Sequence, residues 1–100
     1  SCIVDGYFGD TSRMVAIGTI SEEKQRVIDT SLTCLLKAIE VCAPGRYVSE
    51  IGQAIEDYAA TQRCSVVNQF VGHGVGIAFH EAPEVPHHYN RVNIPFAPGM

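Results

Sequence analysis

Apolar residues recur every three or four positions along the middle of the chain, which predicts an amphipathic helix. Ser21 can cap its start, and Glu22 and Glu23 then lie in the first turn, near the positive end of the helix dipole. Pro44 and Gly45 end the helix. We expect one buried face on this helix, made by Ile28, Leu32, Leu35, Leu36, Ile39 and Ala43.

A second helical pattern extends from about residue 49 to residue 62. Its predicted buried side is made by Val48, Ile51, Ile55, Tyr58 and Ala59. Its opposite side carries Glu50, Gln53, Glu56, Asp57 and Gln62. Charged and amide side chains at this spacing are typical of a solvated face, so no function is predicted for them.

Short runs of strand-forming residues lie on both sides of the helices. Residues 1–8 contain the turn pair Asp5-Gly6 between apolar residues, which predicts a hairpin. Residues 14–17 and 65–71 are predicted as further strands, the first of them buried. The prolines after residue 81 favour extended or turning backbone. This order of elements predicts an α+β fold, in which two helices cover one face of a mostly antiparallel sheet.

Size and charge limit the classes of function. One hundred residues suit a single small domain, and the net charge of −4 with seven unclustered Lys and Arg residues disfavours nucleic acid or an anionic membrane as partner. The four cysteines form no CxxC pair, so we expect reduced thiols and a cytoplasmic protein. Because the chain begins inside a predicted strand and ends without a closing element, we expect a fragment, truncated at both ends.

The stretch from residue 70 to residue 81 concentrates the candidate chemistry. His73 and His80 lie seven residues apart, and Gly72, Gly74 and Gly76 surround the first of them. Glycines permit close approaches that side chains forbid, so the imidazole could be pushed toward a metal or a substrate. Each histidine taken alone is better explained by a glycine-rich turn with local hydrogen bonds. A phosphate cradle is disfavoured, because no amphipathic helix follows the glycines.

Other polar residues are weaker candidates. Glu81 and Glu84 follow the second histidine, but we do not predict that either binds a metal. His87 and His88 are adjacent, and adjacent side chains diverge in extended backbone. A solvated loop is therefore predicted there.

Asp10 has two interpretations that the residue pattern leaves open. It can be a turn aspartate that hydrogen-bonds its own backbone. It can also be a metal ligand, since a carboxylate together with an imidazole suits zinc, manganese, cobalt or ferrous iron. Asp10 and His73 are far apart in sequence, so only the fold can bring them together.

Two segments resemble one enzyme family. They are residues 4–13 (Val-Asp-Gly-Tyr-Phe-Gly-Asp-Thr-Ser-Arg) and residues 70–83 (Phe-Val-Gly-His-Gly-Val-Gly-Ile-Ala-Phe-His-Glu-Ala-Pro). In this order and at this distance, they resemble type I, or bacterial-type, methionine aminopeptidases, which are metallopeptidases of the pita-bread (creatinase/aminopeptidase) fold. The resemblance implies that residues 1–100 form part of a single catalytic domain, its N-terminal half with the metal and substrate loop.

The resemblance also implies a role for each matching residue. Asp10 matches an aspartate that bridges two divalent ions (cobalt, manganese, iron or zinc), and His73 matches a ligand of one of them. His80 matches the catalytic histidine that contacts the substrate and steadies the tetrahedral intermediate. Phe79 matches a wall of the methionine pocket. The implied nucleophile is a metal-activated water that attacks the first peptide bond.

The implied function belongs to a longer parent enzyme. Its substrates would be the N-termini of nascent polypeptides in the cytoplasm, and the resemblance also implies association with ribosomes. The family's other three ligands fall outside residues 1–100, so the isolated chain, with Asp10 and His73 alone, is expected to be inactive. The alternatives are a proline-directed aminopeptidase of the same fold and a non-catalytic binding module that retains the fold.

Overall fold

A computed structural model describes residues 1–100. In chain order, its elements are β1 (Cys2–Val4), β2 (Tyr7–Gly9), α1 (Glu22–Val41), α2 (Ser49–Thr61), β3 (Gly72–Gly74) and β4 (Glu81–Val85). The predicted α+β class is confirmed. The strands pair antiparallel in two separate two-stranded sheets, β1 with β2 and β3 with β4. Neither helix has the combination of length and hydropathy needed to cross a lipid bilayer.

The start of α1 agrees with its sequence signals. The Ser21 side chain accepts a hydrogen bond from the Lys24 backbone N–H at 3.4 Å, and Glu22 and Glu23 occupy the first turn. The helix ends at Val41, slightly earlier than predicted, and Gly45 adopts φ +87° in the turn that follows. A left-handed residue of this kind suits glycine, since it has no Cβ to clash.

The face that α1 packs against α2 differs from the predicted one. Its buried residues are Thr30, Cys34 and Ala38, and the Cys34 thiol donates to the Ile55 carbonyl at 3.7 Å. Small side chains allow the two helices to approach closely. The predicted leucine face is wrong as a buried surface within these residues. Its exposed members are Leu32, Leu35, Leu36 and Ile39, each more than 50% exposed, because no other element of residues 1–100 covers them.

Two predicted strands are absent. Residues 14–17 and 65–71 are irregular, and Ile17 is 90% exposed rather than buried. Strand propensity depends on a neighbouring strand that completes the hydrogen bonds and packs against the side chains, and neither segment has one here. The hairpin prediction, in contrast, is confirmed. Strands β1 and β2 pair with Ile3 opposite Phe8, and Asp5 and Gly6 both have positive φ in the connecting turn.

The acidic side chains of α2 are not merely solvated, which corrects the prediction for three of them. Glu50 accepts hydrogen bonds from the Arg46 side chain at 2.6 Å and from the Tyr47 backbone N–H at 2.8 Å, and the bond from Arg46 lowers the pKa of Glu50. Glu56 accepts a hydrogen bond from the Tyr89 backbone N–H, and Asp57 accepts one from the Tyr89 hydroxyl. The bond to Asp57 raises the pKa of Tyr89. The two contacts of Tyr89 hold the segment after β4 against α2.

The predicted solvated loop at His87 and His88 is also wrong. Both residues are half-buried, and burial, with a smaller contribution from His88, lowers the pKa of His87. Their segment passes directly over Gly52 of α2, where a Cβ would collide with the His88 carbonyl and would lie 2.8 Å from the Pro86 carbonyl. The missing side chain at Gly52 is what admits the segment, which explains a glycine in the middle of a helix.

Candidate metal centre

The two hairpins bring the candidate site residues together. Asp10 follows β2, and His73 is the central residue of β3. The Asp10 Oδ2 atom and the His73 Nε2 atom are 3.6 Å apart. Phe79 and His80 end the loop between β3 and β4, and the ring centroids of His73 and His80 are 4.2 Å apart. The structure therefore places all four residues in one cluster, although their individual roles remain predictions.

The orientation of His73 is set by its own strand. Its Nδ1 atom lies 2.9 Å from the Gly74 carbonyl oxygen. A carbonyl can only accept, so in the neutral ring Nδ1 carries the hydrogen and Nε2 presents its lone pair toward Asp10. Metal-binding histidines commonly hold their second nitrogen in this way, because the bond fixes both the tautomer and the ring orientation.

Asp10 is oriented by a hydrogen bond as well. Its Oδ1 atom accepts from the Ser1 hydroxyl at 2.8 Å, which leaves Oδ2 facing His73. The side chains of Asp10 and His73 are 34% and 20% exposed. The pair is therefore partly shielded by protein but still reachable from solvent.

The facing atoms of Asp10 and His73 fit a cation between them. With the neutral ring, two lone-pair donors face each other at 3.6 Å and cannot hydrogen-bond, whereas a positive ion attracts both. One carboxylate and one imidazole suit zinc, manganese, cobalt or ferrous iron. No third histidine, cysteine, aspartate or glutamate joins them within metal-binding reach. A catalytic metal usually has three protein ligands, so these two donors alone are fewer than such a site needs.

The contact between Asp10 and His73 has a second interpretation, because a doubly protonated His73 would form an ion pair with Asp10 at the same distance without a metal. Two further interpretations of the cluster are weaker. The glycine-rich-turn interpretation explains the bond from His73 to the Gly74 carbonyl, but not the carboxylate facing the other nitrogen. A phosphate cradle is disfavoured further, because the Glu81 carboxylate lies against Gly76 and accepts from the Ala78 backbone N–H at 3.2 Å.

Gly74 and Gly76 make room for β4 rather than for the His73 imidazole, which corrects the predicted reason for these two glycines. A Cβ on Gly74 would collide with the Ala82 carbonyl oxygen and would lie 2.8 Å from its carbonyl carbon. A Cβ on Gly76 would collide with the Glu81 carboxylate. Neither glycine has a positive φ. Gly74 is therefore required for close approach to the backbone of β4, whereas the Glu81 side chain beside Gly76 could rotate away from an added methyl group.

Aromatic rings form one side of the cluster. The Phe79 ring centroid lies 4.4 Å from that of His80, 5.8 Å from that of His73 and 5.5 Å from that of Phe8. Phe79 is half-buried and His80 is exposed. The cluster thus combines a partly covered apolar surface with an imidazole that a bound molecule can contact.

Sequence reasoning missed Ser1, Phe8 and the Gly74 carbonyl. Alternate residues of a strand point to the same side, so the spacing of Phe8 and Asp10 could have placed both near one site. Nothing local in the sequence indicates that Ser1 reaches Asp10 or that His73 bonds its neighbour's carbonyl. Both contacts depend on how β1, β2 and β3 are arranged.

Comparison with known proteins gives one consistent likeness. A family model described as metallopeptidase family M24 matches residues 1–100. The methionine aminopeptidase of Chlamydia pneumoniae is 58% identical over 100 residues, which is 100% of this chain and 34% of that protein. The crystal structure of the methionine aminopeptidase from Rickettsia prowazekii has a TM-score of 0.84 at 36% identity and covers 91% of this chain and 37% of that one.

A second solved structure gives the same fold. The methionine aminopeptidase from Thermotoga maritima has a TM-score of 0.85 at 25% identity and covers 93% of this chain and 37% of that one. These likenesses confirm the predicted partial pita-bread fold. The chain spans about a third of the length of the relatives it matches.

Proposed function

Because the chain belongs to metallopeptidase family M24, we propose that the whole protein is a methionine aminopeptidase that removes the initiator methionine from nascent polypeptides. The observation that carries the proposal is the approach of Asp10 Oδ2 to His73 Nε2 at 3.6 Å, with the His80 ring beside them. The names of the similar proteins support methionine as the released residue.

Asp10 and His73 would hold divalent metal, with two ions in the complete site and cobalt, manganese, iron or zinc as candidates. A divalent cation bound there lowers the pKa of water and polarises a carbonyl. Further protein ligands would come from outside residues 1–100, in keeping with the two-ligand cluster seen here. On this proposal, the isolated chain is one part of a catalytic domain and is inactive alone.

His80 and Phe79 would act on the substrate directly. His80 is exposed and next to His73, so its ring can donate a hydrogen bond where negative charge develops on the scissile carbonyl oxygen. Phe79 would contact the methionine side chain through its uncovered ring surface. The two side chains are neighbours at 4.4 Å, so reacting carbonyl and methionine side chain would be held side by side.

The alternative functions have less support. A non-catalytic binding module has no need of a carboxylate and an oriented imidazole facing each other, yet both persist here. A proline-directed aminopeptidase of the same fold is disfavoured by the names of the relatives.

The remaining parts of the proposal are a cytoplasmic location and association with ribosomes, where nascent N-termini emerge.

The decisive experiment uses the protein expressed from its whole coding region. With cobalt or manganese, we expect hydrolysis of Met-Ala and not of Ala-Pro, loss of activity on chelation and recovery when metal is returned. The separate 100-residue chain should show no turnover under the same conditions. Hydrolysis of Ala-Pro in preference to Met-Ala would favour the proline-directed alternative, and no turnover of either would favour the binding module.

A smaller effect is expected from Ser1→Ala in the whole protein. The change removes the hydroxyl that holds Asp10 Oδ1 at 2.8 Å and leaves the carboxylate free to rotate away from His73. Loss of such a supporting contact weakens metal binding by about 10–100-fold, and we expect the lower end because water can replace the hydroxyl. Metal titration of the variant and of the unmodified protein measures this loss of affinity. Ser31→Ala, on the exposed side of α1, is the matched control; equal affinities of the two variants would contradict the prediction.

A further inference from the structure

We propose that Phe8 is a positioning residue that sets the side-chain selectivity of the substrate pocket by supporting Phe79 from behind. The inference rests on the proposed function, because it assigns Phe79 to the pocket that receives the methionine side chain. Phe8 itself is not placed against the substrate. Its effect on the reaction would pass entirely through the ring of Phe79.

The arrangement of rings supports an indirect role. Phe79 is central: its ring contacts His80 and His73 on the site side and Phe8 at 5.5 Å, tilted by 43°. Phe8 has no aromatic contact with either histidine. Phe8 is half-buried, although most residues of its short hairpin are exposed. The Phe8 ring thus occupies the space into which Phe79 would otherwise move.

A backbone hydrogen bond fixes the backbone of Phe8 relative to the loop that carries Phe79. The Phe8 N–H donates to the Gly76 carbonyl at 2.8 Å, which ties β2 to the loop between β3 and β4. The loop is closed by a bond from the Gly76 N–H to the Ala78 carbonyl at 3.1 Å. Asp10 lies two residues beyond Phe8 on the same backbone. The strand that presents Asp10 therefore also determines where the Phe79 ring can lie.

Loss of the Phe8 ring should change selectivity more than turnover. The truncation leaves unfilled volume behind Phe79, and side chains around such a void relax only partly into it. Phe79 would move back and the pocket would fit methionine less closely. Discrimination between apolar side chains in a hydrophobic pocket amounts to about 10–200-fold per methylene. A loosened pocket should lose about tenfold of its preference for methionine over leucine, mainly through KM.

The test compares kcat and KM for Met-Ala and Leu-Ala in the metal-loaded whole protein. We expect Phe8→Ala to lower the ratio of the two kcat/KM values by about tenfold, with unchanged metal content, and Phe8→Leu to lower it by about threefold. Tyr7→Ala is the matched control, since Tyr7 is the adjacent aromatic residue, is 60% exposed and has no aromatic contact. Its ratio should equal that of the unmodified protein.

A double-mutant cycle separates support of Phe79 from a general structural effect. In a Phe79→Ala background, adding Phe8→Ala should change the selectivity ratio by less than about twofold, since the residue through which Phe8 acts is gone. Equal losses for both dipeptides, or a tenfold change that persists without Phe79, would overturn the inference.

If Phe8→Ala does not fold, the Phe8→Leu ratio decides in the same way. If the unmodified protein hydrolyses Met-Ala but the Phe8 variants keep its selectivity ratio, only the inference is overturned. If the unmodified protein hydrolyses neither dipeptide, the proposed function is overturned as well.

Discussion

Replacing His73 with alanine in the whole protein should lower kcat/KM for Met-Ala by at least about 10³-fold. Removing a residue that merely orients a ligand costs about 10–100-fold in metal affinity or activity. On the proposed function His73 is itself a ligand, through the Nε2 atom that lies 3.6 Å from Asp10 Oδ2, so its loss should cost more. We therefore expect the metal content, measured by elemental analysis after dialysis, to fall together with the activity. Added metal should restore only part of the rate.

His80→Ala is the matched comparison, because the two imidazoles are neighbours at 4.2 Å. His80 has no carboxylate facing it, so this variant should keep its metal and lose about 10²–10³-fold in kcat, the effect of removing one donor to a developing oxyanion. The contrast between the two variants tests the assignment of roles. A His73→Ala variant that retained its full metal content, or a His80→Ala variant that lost it, would contradict the assignment.

Gly74→Ala should have the largest effect on stability of any single methyl group added near the site. The new Cβ would collide with the Ala82 carbonyl oxygen, 2.8 Å from its carbonyl carbon and 3.0 Å from the Glu81 carbonyl oxygen. All of these atoms belong to the backbone of β4, so no side-chain rotation can relieve the clash and the strands must separate. Overpacking of this kind costs about 1–3 kcal/mol, occasionally more, and we expect a loss at the upper end in urea unfolding.

The same substitution should weaken metal binding. The Gly74 carbonyl holds the His73 Nδ1 atom at 2.9 Å, so a displaced strand no longer orients the ring toward Asp10. Gly9→Ala is the control, because a Cβ there meets only the Cys2 sulfur at 3.1 Å, which can rotate away. Its cost should stay below about 1 kcal/mol. Equal unfolding midpoints for the two variants would show that the β3–β4 approach is not as close as described.

The helices show where sequence reasoning succeeds and where it stops. Ser21 caps α1 as predicted, because capping involves groups only a few residues apart. The buried side of α1 was not predictable in the same way. Its leucines make the more conspicuous apolar stripe, yet Cys34 and Ala38 face α2, since small side chains allow the closer contact. Periodicity indicates that a helix has an apolar side, but not which partner covers it.

The strands also show that local signals are predictive and that long-range pairing is not. The Asp5-Gly6 turn joins adjacent segments, so its signal is local and the β1–β2 hairpin follows from it. Residues 14–17 have equally strong strand-forming side chains and remain irregular, because no second strand lies beside them within this chain. A strand exists only when another segment accepts and donates its backbone hydrogen bonds.

By itself, the sequence determined the helix cap, the hairpin turn and which side chains have the chemistry to bind a divalent cation. Tertiary structure alone decided that Asp10 meets His73, that the Gly74 carbonyl turns the His73 lone pair toward it, and that Phe8 stands behind Phe79. The physical reason is the sequence separation over which each interaction acts. Backbone preferences and capping act over a few residues, whereas a site built from two hairpins depends on packing between segments whose separation along the chain carries no information about their distance in space.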